Sequence, residues 1–162
     1  MSTERVFHTF GPVYDDTSRI LILGSFPSVV SRKMNFYYAN PGNRFWRLLA
    51  DLFEEEITDR RQFCLDHHIA LWDVIASCRI HGSSDASITD VVVNDIQSIV
   101  DQSRIKTVFT TGKKAADLYQ KLVRCDAEHI ALPSTSGANA AMSFPVLKEK
   151  YHIILEKLYE ES

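Results

Sequence analysis

A chain of 162 residues, 45% hydrophobic and 24% charged, carries enough apolar material for one domain with a full core, expected here to span residues 1–162. Its formal net charge of -3 argues against a general nucleic-acid coat, which shows as a basic balance, while leaving room for a local basic footprint at Arg32, Lys33, Arg44, Arg47, Lys113 and Lys114. The start, MSTERVFHTF, has an acidic residue and no signal-peptide core, and no run approaches the roughly 18 apolar residues that cross a bilayer, so a cytosolic protein is expected.

In chain order, RILILG from Arg19 is short, apolar and closed by glycine, as suits a buried strand, and a long loop follows. Phe45, Trp46, Leu48, Leu49, Leu52 and Phe53 then recur at helical spacing behind Pro-Gly-Asn, which predicts a helix with Asn43 near its N-cap. A second helix is expected from Thr58 to His67 and a strand over IALWDVI from Ile69. An irregular stretch, SCRIHGSSDAS, precedes a short helix at NDIQSIVDQ. Then come a strand at KTVFT, a helix opened by Gly112, a strand at HIALPS and one terminal helix in SFPVLKEKYHIILEKLYEE. Cys64, Cys78 and Cys125 cannot make a four-thiolate cluster or pair completely, and read as packed thiols.

Strands alternating with helices imply an α/β fold: a three-layer α/β/α sandwich around a mainly parallel four-stranded sheet. Ligands of such sheets bind beyond the carboxyl ends of the strands. GSFPS, the end of LWD, TTGKK and LPSTSGANA converge there. Ser25, Ser28, Ser134, Thr135, Ser136 and the backbone at Gly137 suit neutral hydrogen bonds to phosphate, although ordinary turn chemistry accounts for them equally. Neither Gly-containing turn is a Walker loop, no nucleophile elbow surrounds Ser25, and no His/Cys/carboxylate spacing suggests a metal. His67 and His68 read as a helix end.

The remaining chemistry suits hydrolysis at a glycosidic carbon, which needs a positioned water, negative potential near a cationic sugar, an aromatic floor and polar contacts to a base edge. Tyr37 or Tyr38 suits the floor and Asn43 or Asn40 the water. Asp73 suits a base N–H or the sugar cation. Each has a plainer alternative: core packing for the tyrosines, an N-cap for Asn43 and a strand-end cap for Asp73.

LILGSFPSVVSRKMNFYYANPGNRFW resembles the first motif of the uracil-DNA glycosylase superfamily. Its form is closest to the hypoxanthine-DNA (deoxyinosine) glycosylase branch, with a likeness to the mismatch-specific uracil-DNA glycosylases through NPGNRFW. LPSTSGANA resembles the second motif, which in the family inserts near the minor groove and contacts backbone phosphates, and ALWDVIASCRIHGSSDASI lies where the family forms another pocket wall. The likeness runs from about Val13 to Leu158.

The resemblance implies metal-free and cofactor-free excision of a flipped deaminated base from DNA, with a monomer sufficient. If the cell is bacterial, the place of action is the nucleoid. Many relatives carry a catalytic Asp or Asn where this chain has Phe26. The resemblance shifts that role to Asn43, with Asn40 second and Asn139 a further polar candidate, and puts Ser25, Phe26, Tyr37, Tyr38 and Asp73 around the base. Ser28, Lys113, Ser134, Thr135, Ser136 and Gly137 fall to the DNA backbone and second motif. Gly137 replaces an expected proline, which predicts a more flexible insertion loop. Two other readings stay open: a non-catalytic nucleic-acid-binding relative, suggested by Phe26 and the negative charge, and a hydrolase of free nucleosides or nucleotides.

Overall fold

The computed structural model describes residues 4–160; the expectations for the extreme ends, including part of the leader reading at residues 1–3, lie outside the described residues. Four parallel strands form the central sheet in the order β3-β2-β6-β7: β2 is Ile20–Gly24, β3 Ile69–Asp73, β6 Thr107–Thr111 and β7 Glu128–Leu132. Every residue of β2 is buried, because it is interior to the sheet and covered on both faces. Ile20 and Ile22 face one core cluster and Leu21 and Leu23 the other, the period-2 alternation of a strand buried on both sides.

One cluster is filled from α2 (Phe45–Phe53), α3 (Arg60–Asp66), α6 (Phe144–Tyr151) and α7 (Ile153–Leu158). The other is filled from α4 (Ile96–Asp101), α5 (Lys113–Leu122) and an antiparallel sheet. In α2 the buried Phe45, Trp46, Leu48, Leu49 and Leu52 make the apolar stripe, with Arg47 and Asp51 outward. α3 begins as expected: the Asp59 carboxylate caps the amide of Gln62 at 3.0 Å.

The structure departs from the sequence expectations in four places. The loop after β2 contains α1 (Val29–Met34), whose first turn is capped by Ser28 Oγ accepting from the amide of Ser31 at 3.1 Å. The stretch read as irregular from Ser77 supplies the last three residues of β4 (Ile75–Arg79), which pairs with β1 (Arg5–Phe7) and β5 (Thr89–Val93) in a three-stranded sheet ordered β1-β4-β5. Register shifts between β4 and β5 break the alternation that would have marked them. The terminal helix divides at His152, where the bonds His152 N–H to Glu149 O and Leu155 N–H to His152 O take three-residue spacing.

The single strand expected over IALWDVI also serves two sheets. Val74 and Ile75 still donate to the carbonyls of Gly24 and Ser25, and the chain then crosses into β4. This crossing places Asp73 at the seam, at the carboxyl end of β3 with the second sheet behind it.

Candidate active site

The carboxyl ends of all four parallel strands open on a cavity of about 330 Å³. β2 leads into Gly24, Ser25 and Phe26, β3 ends at Asp73, β6 at Thr111, and β7 continues to Ser134. A larger cavity of about 940 Å³ lies at the amino ends of the same strands, lined by Arg19, Lys106, Glu128 and Lys157. Both of its carboxylates are taken up by one lysine, Lys157 pairing with Glu128 at 2.9 Å and Glu160 at 3.2 Å, and Arg19 donates to the backbone carbonyl of Glu160. The functional edge of a parallel sheet is the carboxyl edge, so the smaller cavity is the candidate site.

Asp73 is 4% exposed and its Oδ2 lies 2.7 Å from His8 Nε2. His8 packs in turn among Phe10, Phe26 and Tyr37. Asn94 Nδ2 donates to the backbone carbonyl of Asp73 at 2.9 Å. With Oδ2 held by His8, Oδ1 lies over Gly24, where an added β-carbon would approach it to 2.6 Å. Glycine at position 24 is thus a close-approach requirement. Gly24→Ala is expected to displace the pinned carboxylate and lower catalysis by about 10²-fold, since ångström-scale misplacement has that effect. Steady-state assay with a parallel melting curve checks it, the melting temperature falling far less than the activity.

Tyr37 and Tyr38 both border the cavity but are held differently. Tyr37 is 2% exposed, donates its hydroxyl to Gly11 O at 2.9 Å and receives Trp46 Nε1–H on its carbonyl at 3.0 Å. Tyr38 stacks on Phe45 at 3.9 Å with the rings 17° apart, on a backbone with φ of 52°. Burial, then the charge of Asp73, pushes both phenols well above the usual tyrosine range. They are neutral walls. Phe26 is nearly buried beside them, with the Arg32 guanidinium 5.5 Å from its ring centre.

Asn43 joins the two motifs. Its Oδ1 accepts from the Phe45 amide at 2.9 Å, so the side chain performs the capping anticipated for it although the helix boundary itself falls at Arg44. The same oxygen accepts from Thr135 Oγ1 at 2.7 Å, and Thr135 is 1% exposed. An obligate amide donor and a hydroxyl fix the side-chain orientation, leaving Nδ2 as the group offered to the cavity. Asn40 is exposed on the rim and closes an Asx turn by accepting from Gly42 N–H at 2.9 Å.

The second-motif loop is built by its own side chains. Ser134 Oγ accepts from the Ser136 amide and Ser136 Oγ from the Ala138 amide, leaving each hydroxyl proton free to donate outward. Asn139 does not line the cavity; its Nδ2 holds Ser134 O at 3.0 Å. Lys113 also lies off the cavity, exposed and paired with Asp117 at 2.9 Å, and Ser28 lines it while capping α1. Gly137 presses against the first motif: an added β-carbon would stand 2.8 Å from Gly42 O. Close packing against that turn, rather than looseness, explains a glycine here.

The basic footprint is largely redirected. Arg44 donates Nη1–H to Met142 O at 2.6 Å and Nη2–H to Ser136 O and Asn139 O at 3.1 Å each, with Nε 3.5 Å from Thr135 O. Arg32 donates to Gly82 O, and Arg47 lies 4.3 Å over the Phe144 ring. Arg32 and Arg44 thus brace the backbone of the loops around the cavity without lining it. The cysteines are packed thiols as expected, Cys64 being pushed up to about 12 by burial.

Two residues of the site escaped the sequence reading. His8 lies 65 positions from Asp73, with no local pattern to link them. Asp85 lies on the cavity wall with Ser25 Oγ donating to its Oδ1 at 3.1 Å, and the small-residue turn GSSDAS around it was the available signal.

Fold and cavity together define an α/β protein whose cleft is lined by neutral aromatic side chains, the carboxylates of Asp73 and Asp85 and hydroxyl-rich loops. The chain belongs to the uracil DNA glycosylase superfamily, whose family model matches residues 12–156. A relative named hypoxanthine DNA glycosylase from Methanosarcina acetivorans is 38% identical over 141 residues, covering 83% of this chain and 89% of the relative. A second of that name, from Methanosarcina barkeri, is 36% identical over 137 residues, covering 80% and 86%. The solution NMR structure of a candidate uracil DNA glycosylase from M. acetivorans superposes with a TM-score of 0.78 at 31% identity, covering 93% of this chain and 97% of that one.

Proposed function

We propose that this protein is a monofunctional DNA glycosylase that hydrolyses the N-glycosidic bond of a flipped deaminated base, hypoxanthine foremost, with uracil and xanthine in the same chemical class. The observation that carries this reading is the Asp73 carboxylate, buried, pinned by His8 and bordering the cavity. A fixed acceptor suits a base edge with a ring N–H. Hypoxanthine N1, uracil N3 and xanthine N1 offer one, whereas adenine N1 and cytosine N3 present lone pairs that a carboxylate repels. Deamination of adenine or cytosine turns that lone pair into an N–H, so one pinned carboxylate separates hypoxanthine from adenine and uracil from cytosine; guanine carries N1–H already, and its separation from xanthine needs contacts other than this one.

Ser134 and Ser136 donate to DNA phosphates beside the cleft, and the flipped base enters against Phe26 and the tyrosines. The C1′–N bond breaks with its electron pair leaving on the base, whose departure is helped by contacts to its edge. Asn43 Nδ2 donates to the oxygen of the incoming water and fixes its approach to the sugar. With Oδ1 already accepting twice, Asn43 orients water without deprotonating it. The relatives' names, the family match and the shared fold support this reading. A monomer acting in the cytoplasm on chromosomal DNA suffices.

The test incubates the protein, with chelator present, with duplexes carrying one hypoxanthine, uracil, xanthine or adenine, followed by alkali to reveal abasic sites. Cleavage at hypoxanthine and none at adenine is expected; binding without cleavage on every duplex supports the non-catalytic reading that Phe26 suggests. Asn43→Ala is expected to lower the single-turnover rate about 10²-fold with little change in duplex affinity, and an unchanged rate would remove its role in placing water.

A further inference from the structure

Building on the glycosylase reading, we propose that Asp85 is a catalytic carboxylate: it stabilises the sugar cation and accepts the proton of the attacking water, replacing the acid absent at Phe26. Asp85 opens the 3-10 turn Asp85–Ser87, 60 positions along the chain from Ser25, yet it lines the same cavity. The Ser25 hydroxyl donates to its Oδ1 at 3.1 Å. Ser25 immediately precedes Phe26, so the fold carries a carboxylate from another segment to the place where the first motif lacks one.

The turn is exposed but well held. Ser83 Oγ accepts from the Val29 amide at 2.9 Å, Arg32 donates to Gly82 O at 2.9 Å, and Ser87 Oγ accepts from the His81 amide at 2.8 Å while donating to Ser84 O at 2.7 Å. Those bonds fix the backbone beneath Asp85 to α1 and to the end of β4, a preorganised mount for a working side chain. Among the described residues no Lys or Arg forms an ion pair with Asp85, so its side-chain partner is the neutral Ser25 hydroxyl and its charge is not neutralised by a cation.

An unpaired carboxylate beside a DNA cleft repels phosphate and weakens binding. That penalty has a use where positive charge develops on the reacting sugar. As the C1′–N bond breaks, its electron pair leaves on the base and the sugar becomes cationic opposite Asp85. Water oxygen then bonds to C1′, one water proton passes to the Asp85 carboxylate and on to solvent, and the departing base takes a proton from solvent. Atoms and charge balance without a further reactant.

Two opposite effects in one variant test this. Asp85→Asn keeps the volume and an acceptor for Ser25 while removing the charge. On a hypoxanthine duplex its single-turnover rate is expected to fall about 10²-fold, the scale of a lost general base, while the Kd for the same duplex tightens. A purely structural role would weaken both. A rate within threefold of wild type overturns the assignment and leaves the glycosylase reading standing, whereas wild-type protein that excises no deaminated base takes down both. If Asp85→Asn melts below the assay temperature, Asp85→Ala decides: recovery of at least tenfold on adding formate supports the carboxylate role, and no recovery overturns it.

Discussion

Asp73→Asn is expected to lower single-turnover excision of hypoxanthine by 10²–10³-fold and to narrow the discrimination against adenine. The loss is the scale found when a buried group that contacts the reacting ligand is neutralised, about 3–4 kcal/mol of barrier. The narrowing follows from hydrogen-bond polarity. With His8 Nε2 held 2.7 Å from one terminal atom, an asparagine whose oxygen takes that contact turns its NH2 toward the ring, a donor where the wild type has an acceptor. Hypoxanthine N1–H then meets a donor, while adenine N1 gains a partner. Rates on paired hypoxanthine and adenine duplexes check both halves. A hypoxanthine rate within threefold of wild type would show that Asp73 only caps its strand.

Arg44→Met should abolish most activity by a different route. Three of the guanidinium contacts, to Ser136, Asn139 and Met142, are at 3.1 Å or less and all end on backbone carbonyls of the second-motif loop. Bonds from a charged donor contribute about 1.5–3 kcal/mol each, and the partly buried carbonyls can turn to water once released, so destabilisation of about 3 kcal/mol is expected after allowing for relaxation. For a chain of this size that is a melting shift of roughly 6–12 °C. Arg44→Lys should recover little, because one ammonium cannot span carbonyls arranged for a planar fork. Hydrogen exchange at the amides of Ser136 and Asn139 should rise in the variant. If duplex affinity falls while exchange and melting stay unchanged, Arg44 is a phosphate contact instead.

The central sheet was legible because its strands are continuous apolar runs closed by turn residues, RILILG above all. Its edge position followed for GSFPS, LWD and LPSTSGANA, so the chain segments of the site were found together. The second sheet was not legible. Thr89–Val93 has no residue fully buried along its length, and β4 takes over directly from β3 without a turn between them, so neither carried the usual boundary. Within the site, residue identity was easier to read than residue duty. Asn43 was visible from its place before a helix, but the commitment of its oxygen to Thr135, 92 positions away, is a tertiary fact. Arg44 looked like a surface cation for the same reason: a sequence does not show where carbonyls point.

The pairing of β1 with β4 has a consequence for how activity is lost. Arg5, Val6 and Phe7 lie opposite Arg79, Cys78 and Ser77, and the His8 amide donates to Ala76 O at 2.8 Å, all contacts spanning about 70 positions of chain. A three-residue edge strand closing so long a loop belongs to the least protected part of a domain and opens well before the core does. Each opening withdraws His8 from beneath Asp73 while the four parallel strands stay intact. Heating or mild denaturant should therefore silence the enzyme before circular dichroism reports any unfolding, with fast amide exchange at Val6 and His8 marking the fraying that disarms it.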